Sequence, residues 1–259
     1  MDLGLKNKNV LVTGGSGGIG LACARAFISE GARVALVSRS QENLVAAKRL
    51  LEGETYIIAA NLMSRTEAAT MVERVENEFG QLHVLVNAAG AAKRHRPEEL
   101  TPEAWHDGMN AKYFPYIHVI DPVIKRMGGR GEGAIINIIG SGGKVASPSH
   151  LAGGAANAAL MLITAGLAGA YAEKGIRVIG LNPGLTNTSR VNESMKVEAD
   201  RLGISKEETI RRATSAMLHG RMAEPEEIAS IAVFAASERA RLLTGSNISV
   251  DGGALRVVI

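Results

Sequence analysis

Thr13-Gly14-Gly15-Ser16-Gly17-Gly18-Ile19-Gly20 lies between the apolar run Val10-Leu11-Val12 and a stretch of helical periodicity from Gly18 to Glu30. A β-branched run, a glycine turn and then 3.6-residue periodicity read as strand, loop and helix. Glycine in such a turn permits positive φ and lets backbone N–H groups come close to a pyrophosphate. The helix that follows offers the positive end of its dipole to the same place. A glycine-rich run alone is only a tight turn. With a strand before it and a helix after it, the run reads as a dinucleotide cradle.

Outward from that turn the alternation continues. Further strands are expected at Arg33–Ser38, Thr55–Ala60, Val84–Val86, Ala134–Ile139, Ile176–Leu181 and Asn247–Val250. Helices are expected at Glu42–Leu51, Thr66–Phe79, Leu151–Glu173 and Pro225–Ala236, and one opens at Thr101-Pro102-Glu103. Ser64 with Glu67, and Ser205 with Glu208, have capping-box spacing. Thr101 reads as a cap with Pro102 at the first helical position, while Pro115 and Pro122 predict a kink or break further along. Continuous apolar strands alternating with helices imply a parallel sheet covered on both faces. The expected fold is α/β, a doubly wound parallel sheet of about seven strands (a Rossmann fold) in a single domain. The charged, helical segment Ser189–Gly220 interrupts the alternation and reads as a lid or substrate lobe.

Composition agrees. The 259 residues are 46% hydrophobic and 21% charged, which excludes disorder and permits a sizeable core. There are 30 Gly but only 4 Phe, 1 Trp and 4 Tyr. One Cys excludes an intrachain disulfide and fits a cytoplasmic location. A net charge of +3 suits anionic small molecules weakly and argues against nucleic acid. No apolar run follows Met1, so no signal peptide is expected. Leu151 to Ala170 is nearly uncharged, but it is rich in Ala and Gly and holds Asn157 and Thr164. It reads as a buried or subunit-interface helix rather than a membrane span. No metal site is expected. The second strand ends Ser38-Arg39. A carboxylate there would suit the ribose hydroxyl of NAD, whereas Arg39 suits a 2′-phosphate, so NADP is expected, with NAD the alternative.

On these motifs the chain resembles the short-chain dehydrogenase/reductase family over nearly its whole length. Thr13-Gly14-x-x-x-Gly18-x-Gly20 resembles its T-G-x-x-x-G-x-G motif, and Asn87-Ala88-Ala89-Gly90 its N-N-A-G. Asn182-Pro183-Gly184 with Thr186 and Thr188 is similar to the P-G-x-x-x-T segment. Gly220 through Glu227, and Thr244-Gly245 through Asp251-Gly252-Gly253, resemble its C-terminal signatures. The resemblance implies cofactor contacts at Gly14, Ser16, Gly18, Ile19 and Gly20 in the cradle, and at Ser38 and Arg39 after the second strand. It implies others at Asn61 and Leu62, at Asn87, Ala88 and Gly90, at Asn157, and at Pro183, Gly184, Thr186 and Thr188. Asn61 replaces the family's usual Asp, and an amide can still bond the adenine edge. Asn110 resembles the helix Asn whose backbone holds a proton-relay water. The family also commonly pairs the long helices, here Trp105–Met127 and Leu151–Glu173, which implies a dimer or tetramer.

The resemblance breaks at the chemistry. Family members that transfer hydride use a Ser, and a Tyr and Lys in Y-x-x-x-K. Asn137-Ile138-Ile139-Gly140 puts Gly140 at the Ser, and Gly153-Gly154-Ala155-Ala156-Asn157 puts Gly153 at the Tyr and Asn157 at the Lys. Four residues after Tyr56, Tyr113, Tyr116 and Tyr171 stand Ala60, Ile117, Ile120 and Gly175, so no tyrosine restores the motif; Tyr113 and Tyr116 are placed to line the cleft.

The loop from Gly140 to His150 holds the substitutes. Ser141 is one residue beyond the vacant Ser and is either a carbonyl-orienting group or a loop cap. His150 is three before Gly153, on the same helix face. Its imidazole titrates near neutrality, as a general acid requires; otherwise it is a helix-start surface residue. Asn157 either bonds ribose hydroxyls or is a satisfied polar group. Lys93-Arg94-His95-Arg96 reads as a solvated face, or as a grip on a carboxylate or CoA phosphates, and Arg211-Arg212 is equally ambiguous. Three functions stay open. The first is an NADP(H)-dependent oxidoreductase with a substitute proton donor. The second is a nucleotide-binding sensor or partner without turnover, and the third a non-redox lyase or isomerase reusing the cleft.

Overall fold

The apolar runs form seven parallel strands: β1 (Asn9–Thr13), β2 (Arg33–Ser38), β3 (Thr55–Ala59), β4 (Val84–Asn87), β5 (Gly133–Ile138), β6 (Ile176–Pro183) and β7 (Asn247–Val250). Their order across the sheet is β3-β2-β1-β4-β5-β6-β7. The structure, a computed structural model, describes residues 1–90 and 92–257, the side chains of Val197 and Arg201 excepted.

Alternate residues of one strand enter opposite cores, as a two-residue period requires. Leu11, Leu85 and Ile135 pack with α3 (Arg65–Glu78), α4 (Pro102–Arg130) and α5 (Leu151–Tyr171). Val10, Val12, Val84, Val86 and Ile136 pack with α1 (Gly18–Ser29), α2 (Gln41–Arg49) and α8 (Pro225–Ala236) on the other face. Two buried faces explain why the strands read as unbroken apolar runs rather than as alternating ones. The expected doubly wound sheet is therefore the observed one.

The expected break in the fourth helix does not occur. α4 is continuous from Pro102 to Arg130, with Pro115 and Pro122 inside it. Each proline removes one N–H bond to the carbonyl four residues back. Tyr116, Val119, Ile120, Val123 and Ile124 hold the helix against the sheet around those gaps. Tertiary packing here outweighs the local penalty. On α5, Ala152, Ala156, Leu160, Thr164 and Ala168 recur every four residues and are all buried, so this long apolar helix is a core element. Its outer face carries Leu162, 75% exposed.

The interrupting segment is two helices, α6 (Ser189–Leu202) and α7 (Lys206–Thr214), capped by the hydroxyls of Thr188 and Ser205. Arg211 and Arg212 both pair with Glu208 at 2.7 Å within the same helix.

Candidate active site

The strand order reverses between β1 and β4, and a ligand crevice opens at the carboxyl ends of strands beside such a switch. Thr13 and Asn87 are register partners there. The Thr13 hydroxyl donates to Asn87 Oδ1 at 3.4 Å and accepts from the N–H groups of Ala88 and Ala89 at 3.2 and 3.3 Å. One side chain thus closes both loops of the crevice. Gly14, at φ 69°, donates to Val37 O at 2.8 Å. A Cβ on Gly14 would stand 2.9 Å from backbone atoms of Ala88 and Ala89, and one on Gly20 would stand 2.8 Å from Gly14 C. Glycine is therefore demanded by backbone against backbone.

α1 starts without a side-chain cap, unlike α2, α3, α4, α6 and α7. Its first N–H groups lack intrahelical acceptors and point into the crevice end, which fits a pyrophosphate. Open space lies beside Gly17, and Thr188 stands over Gly18, 3.2 Å from where a Cβ would be. Ser16 and Ile19 are half-buried beside them. At the other end, Ser38 turns its hydroxyl to Ser40 O and Arg39 is exposed with no ion-pair partner among the described residues. Asn61 Oδ1 accepts from Met63 N at 3.2 Å, while Leu62 is buried and its carbonyl meets His118 Nδ1 at 2.9 Å.

A buried polar line runs along the sheet edge from this crevice. Asn87 donates to Asn137 Oδ1 at 3.0 Å, Asn137 donates to the Thr164 hydroxyl at 3.0 Å, and Thr164 donates to Leu160 O at 2.8 Å. All four residues from Thr13 to Thr164 are at most 1% exposed, so each satisfied amide fixes its neighbour. Beyond it, Pro183 is buried, Gly184 N–H donates to Val250 O at 3.1 Å, and Thr186 donates to Gly184 O at 3.2 Å. Both side-chain amide atoms of Asn182 are buried without a partner among the described residues.

The loop 140–150 lies flat on the first turns of α5. A Cβ on Gly143 would stand 2.7 Å from Ala158 N, and one on Gly154 2.8 Å from Gly142 O. Ser141 opens a single 3-10 turn and its carbonyl accepts from Lys144 N. Lys144 Nζ donates to Asn247 O and Ser249 Oγ, both at 3.0 Å, which ties the loop to β7.

The imidazole of His150 occupies the position a side chain on Gly153 would take. A Cβ there would stand 2.6 Å from His150 Nε2 and 2.8 Å from Nδ1. Asn157 Nδ2 is 3.3 Å from the corresponding point on Gly140. His150 Nδ1 and Asn157 Oδ1 are buried with no hydrogen-bond partner among the described residues. His150 is thus not a free surface residue, and Asn157 is not a satisfied one. Burial, then the charges of Arg94, Lys112 and Arg190, hold the His150 imidazole below its ordinary pKa.

Asn110 falls on the exposed side of α4. The carbonyl that Pro115 leaves without its helical donor is that of Ala111, one residue further on. Tyr116 does not line the cleft: it is fully buried, and its hydroxyl donates to Ile138 O. Lys112, four residues earlier on the same face, is 8% exposed. Its Nζ donates to Tyr116 Oη at 2.9 Å and to Ile138 O at 3.0 Å. A Lys four residues before a Tyr, the reverse of the Y-x-x-x-K order, is the signal in the sequence that marks this pair.

Burial lowers the Lys112 pKa to about 7. An unfolded lysine titrates near about 10.4, so between about pH 7 and about pH 10 the unfolded chain binds more protons at this residue. Unfolding free energy is therefore expected to rise with pH across that window. Denaturant melts of Lys112→Met should show the rise flattened; an unchanged slope would assign it to other groups.

A family model described as short chain dehydrogenase matches residues 8–199. D-beta-hydroxybutyrate dehydrogenase of Rhizobium meliloti (strain 1021) is 32% identical over 257 residues, which are 95% of this chain and 98% of that protein. The crystal structure of L-sorbose reductase from Gluconobacter frateurii, complexed with NADPH and L-sorbose, superposes with a TM-score of 0.92 at 30% identity, over 100% of both chains. A variant of actinorhodin polyketide ketoreductase with NADPH gives 0.92 at 29% identity, over 97% of this chain and 98% of that one.

Proposed function

The chain belongs to the short chain dehydrogenase family, and from that premise we propose that it is an NADP(H)-dependent oxidoreductase of a small-molecule carbonyl or alcohol, with His150 in place of the absent tyrosine. The observation that carries this reading is the seating of the His150 ring in the side-chain position of Gly153. The cofactor, when bound, would give hydride to a carbonyl or take it from an alcohol. The protein's part is to hold it and to manage one proton. The uncapped start of α1 with Gly14, Gly18 and Gly20 receives the pyrophosphate, and Thr188 closes over it. Asn87, Ala88 and Gly90 line the crevice, and Pro183, Gly184 and Thr186 form its far wall.

His150 Nε2 carries the proton to or from the substrate oxygen. A lowered pKa keeps the imidazole neutral at pH 7 and makes it a base, so alcohol oxidation is favoured there. The reductive direction needs the imidazolium and is expected to gain only at pH below the ordinary imidazole range, because burial and the neighbouring charges lower the ring's pKa. Ser141 orients the carbonyl, Asn157 faces the ribose, and the backbone beside Asn110 seats a relay water. Neither Asn157 nor any other neutral group can replace the positive charge the family's lysine supplies, so a slow enzyme is expected.

Two further expectations attach to the same fold. Arg39 reads as the 2′-phosphate contact. Arg39→Asp should weaken NADPH binding by about 10–100-fold, the range of a lost charge-assisted hydrogen bond, and leave NADH equal or tighter. Titration of both cofactors checks this. The outer faces of α4 and α5 expose Trp105, Phe114 and Leu162, and we place a second copy against them as a dimer or tetramer. A monomer in light scattering would contradict it. The one cysteine, Cys23, is buried with its thiol pushed up to about 12, which suits a structural residue in the cytoplasm.

The reading is tested by following NADPH consumption and NADP⁺ reduction over a panel of ketones, aldehydes and alcohols. Cofactor-dependent turnover of a panel member supports it. Tight NADPH binding with no turnover would make the protein a nucleotide-binding partner or sensor. Substrate conversion at constant cofactor absorbance would make it a lyase or isomerase.

A further inference from the structure

Three separate segments bring cations to the cleft around His150. Arg94, in the loop after β4, donates from Nη1 to Ser149 Oγ at 3.1 Å, one residue before the histidine. The same loops are joined by His95 N–H, which donates to Ser149 O at 3.2 Å. Arg190, in the first turn of α6, donates from Nη1 to Gly90 O at 3.4 Å, at the root of the Arg94 loop. Lys112 lies buried behind them. Arg94, Lys112 and Arg190 all bear on His150, and no carboxylate is among the charges that do. Among the described residues none of these cations is in an ion pair.

A solvated basic face explains Lys93 and Arg96, and Arg94 and Arg190 are exposed as well. Exposure does not explain why Arg94 and Arg190 are each hydrogen-bonded to a loop that bounds the cleft, beside an imidazole whose buried Nδ1 has no partner among the described residues. Like charges gathered without a counter-ion repel one another, and an anion between them removes that cost while taking two planar donor forks.

We propose that Arg94, Arg190 and His150 form an oxyanion subsite, which selects substrates bearing a carboxylate or phosphate in addition to the carbonyl or hydroxyl that reacts. This rests on reading the cleft as an oxidoreductase site and names the substrate class for it. The charged group sits between the two arginines, on the α6 side of the imidazole. Its binding neutralises the cations that suppress protonation of His150, so the ring takes up a proton more readily once a substrate is in place.

The test uses the full chain saturated with NADP⁺ and two matched pairs of probes: acetoacetate against its methyl ester, and dihydroxyacetone phosphate against dihydroxyacetone. Calorimetry reads affinity, and NMR of the His150 ring reads its titration. The charged member of at least one pair is expected to bind about tenfold tighter or more, the scale of one charge-assisted hydrogen bond. Which pair responds separates carboxylate from phosphate. Arg94→Ala and Arg190→Gln should each remove most of that advantage, with the neutral probes unaffected. The His150 ring should titrate higher when the charged probe is bound, and this rise should vanish in Arg190→Gln. Equal binding within both pairs overturns the proposal. So does an Arg190→Gln effect confined to NADP⁺ affinity, which would give that arginine to the cofactor's phosphates. Binding is read here without turnover, so failure of the oxidoreductase reading shows separately, as absent NADPH consumption over the panel.

Discussion

His150→Ala is expected to lower kcat by about 10²–10⁴-fold, the usual worth of a positioned general acid or base, with KM for the cofactor unchanged. Two features make the effect specific to the ring. The imidazole fills the space above Gly153, within 2.8 Å of where a Cβ would start. It is also ringed by positive charge from Arg94, Lys112 and Arg190, so its protonation responds to the site's electrostatics. The pH profile is the second readout: the limb that reports the imidazole should disappear in the variant. Loss of activity with the profile intact would reduce His150 to packing, and unchanged turnover would remove it from the mechanism. Gly153→Tyr, which restores the family's residue, is expected not to help. The new side chain and the His150 ring cannot share the space, and the position four residues on is Asn157, with no charge to lower a tyrosine pKa.

Gly14→Val is expected to weaken NADPH binding by at least about 100-fold, or about 2.7 kcal/mol. Gly14 has φ 69°, a region a β-branched residue almost never occupies. The added Cβ would also meet Ala88 and Ala89 at 2.9 Å, and both contacts are backbone, which cannot rotate away. Gly14 cannot retreat either, because its N–H is bound to Val37 O and Gly20 is packed onto its carbonyl carbon. The turn must shift, and with it the start of α1, which the proposed function assigns to the pyrophosphate. Backbone strain of this kind costs about 1–3 kcal/mol of stability, so circular dichroism and a melt should accompany the binding titration. If the valine variant does not fold, Gly14→Ala has the same φ and the same clash with less bulk. Undiminished NADPH affinity in that folded variant would contradict the cradle assignment.

Much of this site is written locally. The cradle is made of backbone, so its demands fall on the identity of residues within one turn. Gly14, Gly18 and Gly20 could be read without knowing what packs on them. The caps of Ser64, Thr101 and Ser205 are local in the same way, and each hydroxyl accepts the N–H three residues on. That α4 runs unbroken past its prolines was not legible, because a local penalty is set against packing that only the folded chain supplies. The surroundings of His150 were hidden for a related reason. Arg190 reaches Gly90 across 100 residues, and Arg94 reaches Ser149 across 55. Nothing in their spacing brings them together. Lys112 was hidden in another way, since a lysine reads as surface until the fold buries it.

The family, the sheet and the cofactor turn follow from chain-local chemistry: hydrophobic period, glycine where φ is positive, hydroxyls where helices begin. Gly140, Gly153 and Asn157, where the resemblance leads one to expect Ser, Tyr and Lys, are equally visible in the chain itself. What stands around those positions is decided by packing. Glycines at 142, 143, 153 and 154 let the loop settle onto α5, and the closeness of that contact lays the imidazole of His150 over Gly153. The same packing brings Arg94, Lys112 and Arg190 from three distant segments to bear on the ring, and among the described residues none of the three is in an ion pair. Proximity across the fold costs chain entropy that only the whole core can offset, so no short stretch of residues could have specified it.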